Sequence, residues 1–207
     1  MAAAAPYVTD GPPADGWLGS RIVVVGPSCS GKSTLGALLA DRLGLPFIEL
    51  DALFWRENWT RPADEEFCAL LRGAHSGDGW VSAGNYLRQT GHITWPLADT
   101  IIWLDVGLAT TSWRVLRRSW RRWRSGELLW GVCRENFWRQ LALWDPNQSL
   151  IRYNISRRAR NRELFERAAR EAEAAGKRFL RLRSRDDIAR LLASVGGPGR
   201  AEAPTGP

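Results

Sequence analysis

Residues 21–34 read "RIVVVGPSCSGKST", and their reading decides the fold. Ile22 to Val25 is a short β-branched run, apolar throughout, the pattern of a central strand covered on both faces. From Lys32 to Leu43 the sequence "KSTLGALLADRL" has helical apolar spacing and ends against Gly44. Between them, Gly26, Gly31, Lys32 and Ser33 match G-x-x-x-x-G-K-[ST], with the strand before and the helix after that give the motif its meaning. The glycines let the backbone turn its N–H groups inward and the helix N-terminus adds positive potential, which together make a phosphate cradle. Lys32 would reach the β- and γ-phosphates, Ser33 would ligate Mg²⁺ and Thr34 would lie near the α-phosphate. The predicted ligand is ATP with Mg²⁺, held by Gly26, Pro27, Ser28, Cys29, Ser30, Gly31, Lys32, Ser33 and Thr34, with Cys29 contributing only backbone.

Outward from this loop the alternation continues. "PFIEL", "WVSA", "TIIWLD" and "RFLRLR" read as strands, and "ADEEFCALLRGA" and "DDIARLLASV" as helices. Strands alternating with helices imply an α/β fold on a parallel sheet. Ser184 and Asp187 have capping-box spacing, which starts the last helix. The rhythm fails in an Arg- and Trp-rich stretch, so residues 126–160 are expected to be a largely helical insertion. The organisation predicted is one domain over residues 20–195, with Ala-, Pro- and Gly-rich flexible tails at 1–19 and 196–207.

Composition narrows the partners. The 29 Lys and Arg against 22 Asp and Glu give a formal charge of +7, which suits a polyanion: nucleotide, nucleic acid or anionic lipid. Three scattered cysteines without a CxxC pair suggest neither a disulfide framework nor a zinc site, and point to a reducing cytoplasm. Neither a signal peptide nor an apolar stretch of about 18 residues is visible, so no membrane partner is predicted.

"FIELDALFWRENW", "GWVSAGNY", "ADTIIWLD", the Arg-rich helix after it and "ELLWGVCREN" resemble the adenylate-kinase-like P-loop ATPases often labelled DNA topology modulation proteins. The resemblance spans roughly residues 21–192. It implies a P-loop NTPase fold of three α/β/α layers, with a five-stranded parallel sheet and a helical lid insertion, and a relationship to nucleoside and nucleotide kinases. One position departs from the family pattern: Ala83 stands where an acidic residue is usual, so either Asp51 or Asp105 serves the metal in its place, or the protein binds ATP and turns it over poorly.

Asp51 closes the second strand of the motif region, where a parallel sheet presents residues to the ligand crevice. It is the candidate for taking a proton from an acceptor hydroxyl or for meeting a Mg²⁺-bound water; a turn cap is the alternative. Trp55, Asn85 and Arg88 are candidates for binding the acceptor, with Tyr86 beside them, against the alternative of a plain loop. Arg114, Arg118 and Arg122 share one side of a helix, and Trp113, Leu116, Trp120 and Trp123 another. The Trp stripe is expected in the core, and Arg118 and Arg122 are the candidates for stabilising the transferring phosphoryl group. His75 and His92 read as surface residues. The function predicted is transfer of the ATP γ-phosphoryl group to a small acceptor. The alternative is an ATPase or ATP-dependent regulator that binds nucleic acid or a protein partner.

Overall fold

Strands and helices alternate as the apolar periodicity requires. The computed structural model describes residues 8–10, 18–134, 136–142, 144–145 and 149–195. In chain order these form β1 (Val8–Asp10), β2 (Arg21–Val25), α1 (Lys32–Leu43), β3 (Phe47–Glu49), α2 (Leu50–Phe54), α3 (Asp64–Ala74), β4 (Trp80–Ala83), α4 (Leu87–Ile93), β5 (Thr100–Leu104), α5 (Leu108–Ser125), β6 (Leu128–Leu129), β7 (Cys133–Arg134), α6 (Leu150–Ala174), β8 (Arg178–Leu182) and α7 (Arg185–Ser194). Short 3-10 turns lie at Glu57–Trp59 and Phe137–Leu141.

The expected five parallel strands are present in the order β8-β5-β2-β4-β3. β1 adds a sixth at the edge, pairing Val8, Thr9 and Asp10 with Phe179, Leu180 and Arg181. This corrects part of the predicted N-terminal tail: the open edge of β8 supplies backbone partners that composition does not reveal. Leu18, also assigned to that tail, is buried in the core, and residues 1–7, 11–17 and the C-terminal tail at 196–207 lie outside the described residues.

Alternate residues of β2 enter opposite layers. Ile22 and Val24 pack with Leu35, Leu39, Leu180 and Leu191, whereas Val23 and Val25 pack with Trp103, Phe165 and Phe179. The sheet is thus covered on both faces, as its unbroken apolar run requires. A smaller cluster of Leu50, Phe67 and Leu71, joined by Phe54 and Tyr86, lies under the segment after β3. The capping box forms as predicted: Asp187 N–H donates to Ser184 Oγ at 3.0 Å and Ser184 N–H to Asp187 Oδ2 at 2.9 Å.

Three expectations are corrected. On α5 the tryptophans face outward: Trp113 is 66%, Trp120 45% and Trp123 41% exposed, while Thr111, Val115 and Ser119 are buried. The inward side is flanked by Arg114, Arg118 and Arg122, which are half-buried, because what α5 covers there is the polar phosphate loop and not an apolar core. The exposed rings pack on one another and on the 137–141 turn, with Trp120 and Phe137 at 5.2 Å and Trp123 and Trp138 at 6.1 Å. The insertion opens not with helix but with the antiparallel β6–β7 hairpin, turned through Trp130 at φ 50° and Gly131 at φ 76°. Its helical part begins only at Leu150. His75 is buried, 2% exposed, edge-on to Trp80 at 4.6 Å with Nδ1 2.7 Å from the Leu71 carbonyl.

Candidate active site

The loop between β2 and α1 has the shape that phosphate binding asks for. Gly26 has φ 148°, and a Cβ there would come within 2.7 Å of the Leu104 carbonyl, so only glycine lets the strand end this close to β5. Cys29 adopts φ 61° and Gly31 φ 107°, the left-handed turns that carry the chain into the helix. Ser30 N–H closes the loop on the Pro27 carbonyl at 3.1 Å.

Side chains from three elements grip the outside of this loop. Asn85, after β4, accepts from Gly26 N–H at 3.0 Å and donates to the Gly26 carbonyl. Asn154, on α6, accepts from Ser28 N–H at 3.1 Å and donates to the Ser28 carbonyl at 3.2 Å. Arg114 donates to the Ser30 carbonyl at 2.9 Å. Asn85 therefore braces the phosphate loop with the amide that the sequence reading offered to an acceptor. Asn154 and Arg114 are loop-holding residues that sequence reasoning did not select; Asn154 is 126 residues from its partner, and no local pattern could have announced it.

Lys32 folds its ammonium back to the Pro27 carbonyl at 3.1 Å. Desolvation lowers its pKa; Asp51, Cys29 and Glu49 oppose that shift through their charge, and Arg118 adds to it. Lys32, Asp51, Glu49 and Arg118 thus share one electrostatic neighbourhood. Asp51 lies in the first turn of α2, and Tyr86 donates its hydroxyl to Asp51 Oδ1 at 2.6 Å. Burial first, then the Asp51 charge and this hydrogen bond, push the Tyr86 phenol far above its ordinary range, so it stays a donor. Arg118 Nε and Ser30 Oγ are buried and meet no hydrogen-bond partner among the described residues. An orphaned guanidinium N–H beside a phosphate loop fits an anion.

The metal question resolves differently from the sequence reading. Ala83 is buried at 2% in the apolar layer against α1, where a carboxylate would lack solvent. Glu49, at the end of β3, is its partner in register one strand over, and Trp130 Nε1 donates to Glu49 Oε2 at 3.2 Å. Sequence reasoning did not select Glu49, whose place beside Ala83 follows from the pairing of β3 with β4. Asp105 is occupied elsewhere: Arg181 holds it through Nε at 3.0 Å and Nη2 at 2.5 Å, with the guanidinium stacked over Trp103. No cluster of three metal-ligating His, Cys, Asp or Glu exists among the described residues. This donor set suits Mg²⁺, which is commonly held by one or two protein oxygens together with phosphates and water.

Trp55 stands edge-on to Phe54 and Trp59 at 5.0 and 5.3 Å, with the Arg61 guanidinium 5.7 Å over its ring. Arg122 lies 3.8 Å from Glu127, at the foot of the insertion. Arg88 points away from the loop: it pairs with Asp64, as Gln89 does at 3.0 Å, and lines a cavity of about 240 Å³ between α3 and α4 that includes Cys68 and His92.

Fold and loop together define a P-loop α/β phosphate-binding protein. A family model described as shikimate kinase matches residues 28–69. The shikimate kinase of Symbiobacterium thermophilum is 34% identical over 99 residues, covering 41% of this chain and 57% of the relative. That of Chlorobium chlorochromatii is 58% identical over 38 residues, covering 18% of this chain and 20% of the relative. The chain therefore spans 57% or less of the length of these curated relatives. Among solved structures, a gluconokinase from Sinorhizobium meliloti superimposes with a TM-score of 0.46 at 19% identity, over 86% of this chain and 91% of the other. A shikimate kinase from Bacteroides thetaiotaomicron gives 0.44 at 17% identity, over 85% and 94%. No helix among the described residues is long and apolar enough to cross a membrane.

Proposed function

We propose that this protein is an ATP-dependent small-molecule kinase, which binds ATP at Gly26–Thr34 and passes its γ-phosphoryl group to a hydroxyl beside Asp51. The observation that carries this reading is the glycine-turned phosphate loop, braced from outside by Asn85, Arg114 and Asn154. The regional likeness to shikimate kinases, from the loop through α2 and into α3, supports it.

Asp51 takes the proton of the attacking hydroxyl, a role for which a carboxylate is needed only when the acceptor is an alcohol and not already a phosphate. Tyr86 fixes the carboxylate by its 2.6 Å hydrogen bond. Lys32 and Arg118 face the charge that gathers on the phosphoryl oxygens, and Arg118 brings an N–H without another partner. Mg²⁺, held by Ser33 with Glu49 or Asp51 behind it, would supply charge neutralisation of the phosphates. Trp55 and Trp59 form the wall against which the acceptor packs. We place the reaction in a reducing cytoplasm on the strength of three scattered cysteines without a CxxC pair, Cys29, Cys68 and Cys133.

The test is ADP formation with Mg²⁺-ATP in the presence, one at a time, of nucleosides, nucleoside monophosphates, sugar acids and cyclic polyols. One hydroxylated class should accelerate turnover at least about a hundredfold, the range expected of positioned acid–base groups, and Asp51→Asn should remove that acceleration. Equal turnover with every compound would defeat the proposal.

A second reading has one observation in its favour. The outward side of α5 and the following turn expose Trp113, Trp120, Trp123 and Trp138 among the exposed Arg117, Arg121 and Arg124. Such a face suits a nucleic acid or protein partner controlled by nucleotide state, as the resemblance to the DNA topology modulation group would have it. Anisotropy with single-stranded and duplex oligonucleotides tests it, saturable and salt-dependent binding being its signature.

A further inference from the structure

On the outward side of α5, apolar rings and guanidinium groups run in parallel lines. Trp113 and Trp120 lie two turns apart on one line of the helix, and Arg117 and Arg124, also two turns apart, run beside it. Trp123 flanks the tryptophan line on its other side. The 137–141 turn packs there, Phe137 meeting Trp120 at 5.2 Å and Trp138 meeting Trp123 at 6.1 Å, and it adds Trp138, 59% exposed, and Leu141, 48% exposed. From Val106 to Gly126 the chain carries arginines and no acidic residue. The buried side of the same helix, with Val115 and Ser119, is the one from which Arg114 reaches the Ser30 carbonyl, so the aromatic face is turned away from the phosphate loop.

A contiguous exposed apolar patch rimmed by charge marks a contact surface, and three properties name its occupant. The rings stand nearly edge-on to one another, at 79° for Trp120 and Phe137 and 76° for Trp123 and Trp138. They close into one patch instead of standing apart as the open faces on which bases stack. The patch is a protruding helix side, continued by an aliphatic residue, Leu141, and not a basic groove that would track a nucleic-acid strand. Its basic line, with no acid among it, is complementary to a layer of negative charge. Tryptophan beside arginine suits the boundary of a bilayer, the ring seated at headgroup level and the guanidinium on lipid phosphate.

We propose that α5 and the 137–141 turn form a docking face for an anionic lipid surface, on which the protein lies with its phosphate loop on the far side of α5. This is attachment to one leaflet; no helix among the described residues is long and apolar enough to cross it. The absence of a membrane partner was expected from the lack of a targeting or spanning segment, and a basic aromatic face is neither. The proposal goes beyond the kinase reading and does not depend on it.

Cosedimentation of the full chain with phosphatidylcholine vesicles, with and without added phosphatidylglycerol, tests this. The charged vesicles should take up the protein and the neutral ones should not. Trp113→Gln should weaken uptake about tenfold, the effect of withdrawing an apolar ring from the interface. Arg117→Gln/Arg121→Gln should weaken it about twenty-fivefold, at about fivefold per charge near an anionic surface. Arg167→Gln/Arg170→Gln removes the same charge from exposed positions on α6 and should leave uptake nearly unchanged, because charges beyond a Debye length are screened. Equal losses in the two double variants would mean attraction by net charge alone and would overturn the proposal, as would no uptake by charged vesicles. Saturable oligonucleotide binding that collapses in Trp113→Gln, with vesicle uptake untouched by that substitution, would give the face to nucleic acid and overturn it. A dimer that Trp113→Gln dissolves, again with uptake untouched, would give the face to a second copy and overturn it too.

Discussion

A buried ammonium is a poor contributor to stability and a good one to phosphate binding, and Lys32 is in that position. Desolvation depresses its pKa, because burial penalises the charged ammonium and the fold offsets that penalty only in part. Lys32→Met is expected to raise the melting temperature while weakening ATP binding at least about a hundredfold, the scale of a lost phosphate-stabilising charge. Calorimetry and thermal melting of the same preparation check both halves. Asp51→Asn should lower kcat about a hundredfold or more with little change in the affinity for ATP; Tyr86→Phe, which loosens Asp51 without removing it, should fall between. Initial-rate kinetics in the two substrates separate these effects. The loop was legible from the chain, because the glycine spacing announces it; Asp51 was expected to close the strand and instead stands two residues past it, in the first turn of α2. Glu49 was not, because its relevance comes from pairing with Ala83 across two strands.

At the scale of elements, α5 shows what periodicity can and cannot say. Its two faces were separable in the sequence, but which one turns inward depends on what lies beneath, and here that is the phosphate loop held by Arg114. Trp113→Gln should therefore change stability by no more than about 0.5 kcal/mol, as exposed positions do. Leu39→Ala, in a helix whose apolar face meets the sheet, should cost about 2–5 kcal/mol. Urea denaturation of the two variants checks both values; a cost for Trp113→Gln as large as that for Leu39→Ala would mean that α5 is turned the other way. The strands and α1 were legible because their apolar runs are local and continuous. The β6–β7 hairpin was not, since two-residue strands carry almost no periodic signal and its turn relies on a tryptophan at positive φ.

Across the whole molecule the sheet order places β2 in the middle and delivers three different elements to the loop at its end. Asn85 comes from the connection between β4 and β5, and Arg114 and Asn154 from two helices of the connection between β5 and β8, so the site is assembled by topology and only its first layer is written in contiguous sequence. The same burial sets a pH dependence. His75 is held neutral by desolvation, only partly offset by its hydrogen bond to the Leu71 carbonyl, and its folded pKa lies below the ordinary 6.5. The unfolded chain takes up that proton first, so the stability from a neutral His75 is complete above about pH 6.5 and is lost as pH falls through the folded value. Denaturation midpoints at descending pH should fall in the unaltered protein and fall less in His75→Gln.

The central claim is that phosphate leaves ATP for an alcohol held at Asp51. Incubating the protein with Mg²⁺ and γ-labelled ATP, together with a panel of hydroxylated metabolites and nucleosides, follows the phosphate itself, with Lys32→Ala as the blank. The account predicts label on one acceptor class in the unaltered protein and none in Lys32→Ala. Label found solely as free phosphate, at a rate no acceptor changes, would contradict it.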